Sequence, residues 1–247
     1  MVDVLNFADQ DSLVAQAAQD LVTLIAGVQA AGGLHGDGVA RVVLTGGGAG
    51  IKLLGALAEH HRVAEAQAED FPVQRIDWSR VHVFFGDERA VAVSHPDSNE
   101  GQARAALLDA VKVPETAIHS YELGSLSLTE SAQHYAQELE SWAPKGFDVH
   151  LLGMGGEGHI NSIFPHSAAV AEQEKLVVAV TDSPKPPAER VSLTLPAIAR
   201  AQHVWLLVAG AEKATAASHI IAGSPAEDWP AAGAHGALST RLYLAVN

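Results

Sequence analysis

Three short apolar runs in this chain each stop at glycine, two of them with charged residues alongside it. Val39-Ala40-Arg41-Val42-Val43-Leu44 leads into Thr45-Gly46-Gly47-Gly48-Ala49-Gly50. Val81-His82-Val83-Phe84-Phe85 leads into Gly86-Asp87-Glu88-Arg89, and Val149 to Leu152 into Gly153-Met154-Gly155-Gly156-Glu157-Gly158-His159. Runs this short and this apolar read as strands buried on both faces, as in a parallel sheet. Between them the spacing becomes helical. Leu13, Ala17, Leu21, Leu24 and Val28 keep to one face of a helix for which Ser12 is the expected cap. Ile51 to His61 reads as a second helix, with Arg62 to Asp70 continuing it or looping out. Ser98 is expected to cap a helix through Ala103, Leu107 and Ala110, and Thr129 one that ends at Trp142. Ile118-His119 reads as a short edge strand. Leu176 to Val180, Val191 to Leu195, His203 to Val208 and Arg241 to Val246 supply the remaining extended segments, with a helix from Glu212 to Ala222. Alternation of this kind predicts an α/β fold: a mainly parallel, Rossmann-like sheet with helices on both faces. No repeat, low-complexity tract or linker interrupts it, so residues 1–247 are expected to form a single domain.

In such sheets a ligand sits beyond the carboxyl ends of the strands. There the sequence puts Thr45, Gly46 and Gly47 after one strand, Asp87 and Arg89 after a second, and Glu157 and His159 after a third. Lys185 and Arg190 are expected at a fourth strand end. The chain carries 29 acidic against 15 basic residues, a formal net charge of −14. That surface argues against a nucleic acid or an anionic membrane as partner, since both need a basic footprint. Against this field, the convergence of Arg89, Lys185 and Arg190 points to a small anionic ligand. With no cysteine, disulfides, thiolate metal sites and cysteine nucleophiles are excluded. No basic-then-apolar leader opens the chain, and no uninterrupted apolar run approaches the ~20 residues of a membrane span. A cytoplasmic location is the expectation.

Gly153-x-Gly155-x-x-Gly158 matches the dinucleotide fingerprint, but that fingerprint must open a helix long enough to face a pyrophosphate. Pro165 follows His159 by six residues and restricts any helix there to about two turns. Gly46-x-Gly48 is followed by Ile51 where the third glycine belongs, and Gly50-Ile51-Lys52 breaks the Walker pattern. No Gly-x-Ser-x-Gly elbow and no His-Glu-x-x-His pair occur. His60 and His61 point about 100° apart on a helix. His159 and His166 lack a clear third ligand, so no metal is expected. What remains is His159, an imidazole at a strand-end turn, able when neutral to take a proton from water. Glu157 is placed to orient its ring.

These residues carry a resemblance. Phe84-Phe85-Gly86-Asp87-Glu88-Arg89 with Asp97-Ser98-Asn99, Leu151 to Pro165, and Ser183 to Thr194 (Ser-Pro-Lys-Pro-Pro-Ala-Glu-Arg-Val-Ser-Leu-Thr) resemble, in order, three blocks of the 6-phosphogluconolactonase family. That family belongs to the glucosamine-6-phosphate isomerase/deaminase-like superfamily. Two departures stand out: the family's usual aspartate is Glu157 here, and Leu238 to Asn247 is only loosely similar. Ser162-Ile163-Phe164-Pro165 stands where the deaminases carry an Asn-Glu-Pro-like run, which favours the lactonases. The resemblance implies cofactor-free hydrolysis of 6-phospho-D-glucono-1,5-lactone, and a monomer or small homo-oligomer is the expectation. It implies His159 as general base assisted by Glu157. Thr45, Gly46, Gly47, Asp87, Arg89, Asn99, Lys185 and Arg190 are the implied substrate contacts.

Overall fold

A computed structural model describes residues 2–67 and 74–246. Strand β1 (Val2–Asn6) precedes helix α1 (Gln10–Ala31), followed by β2 (Ala40–Leu44) and α2 (Gly47–Ala66). Strands β3 (Val81–Phe85) and β4 (Asp87–Arg89) lead to α3 (Asn99–Ala103) and α4 (Asp109–Val111), joined by a wide turn over Arg104–Leu108. Next come α5 (Leu128–Trp142), β5 (Phe147–Gly153), α6 (Ala168–Ala171), β6 (Val177–Val180) and β7 (Arg190–Leu193). Helix α7 (Leu195–Ile198), β8 (Ala201–Ala209), α8 (Ala214–Ala222) and β9 (Ser239–Ala245) complete the order.

Six strands form one parallel sheet in the order β1-β9-β8-β5-β2-β3. Every residue of β2 is buried, as are all of β5 but Gly153. Burial on both faces is why these strands are mostly apolar, and even their polar Arg41, Asp148 and His150 are buried. From β2 the chain passes outward to β3, whereas β5, its other neighbour, leads toward β8 and β9. Topology therefore reverses between β2 and β5, where such sheets open a crevice at their carboxyl ends.

Several expectations change here. The Leu176–Val180 and Val191–Leu195 segments do not join the parallel sheet. With β4 they form a separate antiparallel sheet, β4-β7-β6. The period of an apolar segment does not say which sheet it joins. Ile118 makes one bridge to Val83, so its neighbourhood is not a full strand. Asp9, not Ser12, caps α1, and Ser12 returns the bond as the third residue of a capping box. Ser127, not Thr129, does the same for α5 with Glu130. Helix α2 continues through Arg62 to Ala66, and residues 68–70 of the Arg62–Asp70 expectation lie outside the described residues. By length and composition alone α1 is long and apolar enough to cross a membrane, although Asp11, Gln16, Gln19 and Asp20 interrupt its apolar run. Its Leu13, Ala17, Leu21 and Ile25 are buried in the core.

Candidate active site

Four strand ends of the parallel sheet open on one cavity of about 510 Å³, which the residues after β2, β3, β5 and β8 line. Grooves of about 660 and 810 Å³ elsewhere gather no comparable set of glycines and cations. All ten expected site residues except Glu157 line the cavity, and Glu157 bonds to two that do. Lys185 and Arg190 arrive by another route than expected. Their loop joins β6 to β7 in the antiparallel sheet, not a strand end of the parallel one.

At the end of β2, helix α2 begins within the glycines, at Gly47 and not at the expected Ile51. Its cap Gly46 offers no side chain, so the first-turn amides have no side-chain acceptor, and a helix start of this kind favours an anion. Thr45 Oγ1 accepts the Gly153 amide at 2.9 Å, tying the ends of β2 and β5 together. A Cβ on Gly46 would overlap the Asn99 carboxamide, which explains the glycine there.

Asp87, Glu88 and Arg89 leave β3 through Gly86 and divide their tasks. Asp87 Oδ2 accepts from Ser162 Oγ at 2.6 Å and Oδ1 from Asn99 Nδ2 at 3.0 Å. Arg89 Nη1 donates to Asp97 O at 3.1 Å and also to Asn99 Oδ1. Glu88 faces inward. Its carboxylate receives the Arg89, Asn99 and Glu100 amides and the Ser98 hydroxyl, all within 2.8–2.9 Å. Burial raises its pKa against these four bonds.

After β5 the chain turns without forming a helix until Ala168, as Pro165 requires. Gly155 N donates to His159 O and Gly158 N to Gly155 O, both at 3.0 Å. Those two amides are thus committed within the turn and are not free for a developing oxyanion. Gly158 has φ +81°, and a Cβ there would meet Trp229 Cε3 at 2.8 Å. The turn presents His159, whose ring stacks on Phe164 at 4.5 Å between centroids. Nδ1 lies 3.1 Å from Glu157 Oε1, and Nε2 has no protein partner among the described residues. Burial and then the Lys185 charge lower the His159 pKa, against Glu157 and Asp87, so the ring is held neutral more firmly than a free imidazole. Burial would raise the Glu157 carboxyl, but the bond from Lys185, its own amide and His159 hold it down at about 2.

Arg190 is almost fully buried, and its Nε and Nη2 donate to the carbonyls of Pro187, Lys185 and Pro186 at 3.0, 2.9 and 3.3 Å. It reaches the cavity wall mainly as the buckle of the 185–187 loop. Lys213, which carries no motif in the sequence, also lines the cavity, from the turn after β8. It has no ion-pair partner among the described residues, whereas Lys185 is paired to Glu157 at 2.7 Å. Its signal was positional: a lysine just past the carboxyl end of a parallel strand. His166 lies outside the cavity, beside Glu227 and Asp228, away from His159's partners. Among the described residues no group of three or more His, Asp or Glu side chains is set to hold a metal.

The family model described as glucosamine-6-phosphate isomerases/6-phosphogluconolactonase matches residues 8–242. The chain belongs to this family. A 6-phosphogluconolactonase of Mycobacterium tuberculosis is 48% identical over 248 residues, covering 96% of this chain and 93% of that protein. One from Streptomyces coelicolor is 40% identical over 96% of this chain and 89% of its own length. The crystal structure of 6-phosphogluconolactonase from Thermotoga maritima superposes with a TM-score of 0.80 at 25% identity, over 98% of both chains. In this chain the three sequence blocks form one wall of the cavity, the His159 turn and the β6–β7 loop.

Proposed function

We propose that this chain hydrolyses 6-phospho-D-glucono-1,5-lactone to 6-phosphogluconate in the pentose phosphate pathway, with His159 as the general base. The observation that carries the base assignment is the pairing of His159 Nδ1 with Glu157 while Nε2 has no protein partner among the described residues, in a cavity lined by four cations. A carboxylate on Nδ1 favours the tautomer whose Nε2 lone pair is available. Nε2 takes a proton from water as its oxygen adds to the lactone carbonyl. The resulting imidazolium, steadied by Glu157, returns that proton to the ring oxygen as the C–O bond breaks. Positioned acid–base transfer of this kind is worth ~10²–10⁴-fold. A δ-lactone is an activated ester, so no covalent nucleophile is needed, and fixing C1 over His159 supplies a further part of the acceleration.

The phosphate is held at the start of α2, by the amides following Gly46 together with Lys213 and Arg89. Lys213 suits this role because its charge has no ion-pair partner among the described residues, and α2 because its first turn lines the cavity. Asn99 and Asp87 hold Arg89 and the adjoining wall in place. Thr45 and Gly47 shape the approach, and Arg190 serves the substrate through the loop it closes. Every group invoked comes from one chain, so a monomer or a small homo-oligomer in the cytoplasm suffices. The substrate is this phosphosugar lactone, and neither nucleic acid nor membrane is needed.

The test is a coupled assay. Lactone is generated in situ from glucose 6-phosphate and its disappearance followed against the spontaneous rate, with glucosamine 6-phosphate run in parallel. Catalysed decay of the lactone without ammonia release is expected. Ammonia release from glucosamine 6-phosphate, with lactone decay at the spontaneous rate, would assign the chain to the isomerase/deaminase side of its family.

A further inference from the structure

Lys185 does not stand apart from the base. Its Nζ lies 2.7 Å from Glu157 Oε1 and 3.4 Å from His159 Nδ1, and that same Glu157 oxygen is 3.1 Å from Nδ1. Of these three groups the carboxylate can only accept and the ammonium can only donate. The imidazole nitrogen does one or the other, according to where its proton sits. Two arrangements therefore compete at one ring position. In the first, Nδ1–H donates to Glu157, and Nε2 keeps the lone pair a general base needs. In the second, Lys185 donates to Nδ1 and the ring proton is on Nε2. An imidazole so protonated presents N–H to the attacking water and cannot remove its proton.

We propose that Lys185 is a positioning residue that selects the tautomer of His159, and that an anionic substrate completes the base by drawing the Lys185 ammonium off Nδ1. This rests on the reading of His159 as the base. The surrounding structure suits a lysine whose stem is fixed and whose tip moves. Arg190 clamps the Lys185 and Pro186 carbonyls, and Ser183 Oγ both donates to Lys185 O at 3.0 Å and accepts from Lys185 N at 3.3 Å. Beyond that clamp the Lys185 side chain is 47% exposed. Its ammonium ends a flexible stem of four methylenes, free to choose between Glu157, Nδ1 and a ligand. Burial of Arg190 thus acts on the same device, by setting where the lysine's stem begins.

Charge acts alongside geometry. The charged groups facing His159 are Lys185 from the β6–β7 loop, Glu157 from its own turn and Asp87 from β4. Arg89, Arg190, Glu212 and Lys213 line the rest of the cavity. Burial and Lys185 both favour the neutral ring, while Glu157 and Asp87 favour the imidazolium. Removing the Lys185 charge leaves burial alone against two carboxylates, so the ring then protonates at a higher pH.

Two readouts test this, one of them independent of turnover. Nitrogen-15 NMR of histidine-labelled protein reports tautomer and titration of His159 in the wild type, Lys185→Met and Lys185→Arg. The ligand-free wild type is expected to carry a share of the Nε2–H form, and 6-phosphogluconate to shift it toward Nδ1–H. Lys185→Met is expected to show Nδ1–H without ligand and to titrate at higher pH, with Lys185→Arg closer to wild type. In kinetics, the acid limb of kcat/KM for lactone hydrolysis should move to higher pH in Lys185→Met and be largely restored in Lys185→Arg. A lysine serving only as a substrate anchor would raise KM by one factor at every pH, leaving the limb and the tautomer in place; that result overturns the proposal. If the wild type does not hydrolyse the lactone, the functional reading falls, and the NMR comparison still decides the role of Lys185.

Discussion

Glu88→Gln tests whether the cavity wall depends on one buried carboxylate. Oε1 accepts from the Arg89 and Asn99 amides, and Oε2 from Glu100 N and Ser98 Oγ. A carboxamide replaces one of these oxygens with a donor. In its cheaper orientation the new NH₂ takes the place of Oε2, where Ser98 Oγ can turn to accept. Glu100 N then faces a donor in a buried site, at a cost of ~1–3 kcal/mol. The two bonds left on Oε1 fall from charge-assisted to neutral, adding on the order of 1 kcal/mol. Relief of the buried charge, visible as the raised Glu88 pKa, offsets part of this. The net loss is about 1–3 kcal/mol, a fall in Tm of about 3–10 °C for a chain of this size. Asn99 follows Ser98 at the start of α3 and holds Arg89, so KM should rise several-fold with a smaller change in kcat. Thermal melts and steady-state kinetics on the same preparation read both. An unchanged Tm together with an unchanged KM would refute the idea that Glu88 organises this wall.

Gly158→Ala forces a side chain into a φ of +81° and against the Trp229 ring. The left-handed conformation alone costs ~1–2 kcal/mol, and kcat should fall as the His159 turn shifts, read by melts and turnover together. Lys213→Ala should raise KM about tenfold or more with kcat nearly kept, since a charge with no ion-pair partner among the described residues has chiefly the ligand to lose. The acid limb of kcat/KM in the wild type should lie below the ordinary imidazole value. The base must be neutral, and both burial and Lys185 lower its pKa, so activity is kept on the mildly acidic side and lost as pH falls through that lowered value. A pH–rate profile of the free enzyme measures it.

Much of the site was legible because its parts are local. Each of the blocks around Asp87, His159 and Lys185 is a single stretch of chain, and a strand that ends in glycines announces its own carboxyl end. Pro165 alone was enough to separate the His159 turn from a dinucleotide loop. What was not legible depends on distant partners. Nothing in Val177–Val180 or Arg190–Leu193 says that they pair antiparallel with Asp87–Arg89 instead of entering the parallel sheet. Strand β1 escaped notice because its five residues alternate only weakly in burial and gain their place through β9, over two hundred residues away. Lys213 belongs to no recognisable motif, and only the position of β8 brings it to the cavity. Arg190 reads from sequence as a cation for the ligand, and only its carbonyl partners show the loop it holds. Glycine is a poor helix former, so the sequence points to Ile51 as the start of α2, four residues after Gly47 where it begins; those glycines bring the backbone amides to the cavity.

The central claim is that His159 performs the proton transfer. The most direct measurement is kcat at saturating lactone for His159→Ala, with binding of 6-phosphogluconate measured on the same variant. The account predicts that kcat falls ~10²–10⁴-fold, toward the spontaneous rate, while 6-phosphogluconate binds within a few-fold of wild type. Near-normal turnover at saturation would contradict it and move the base elsewhere in the cavity.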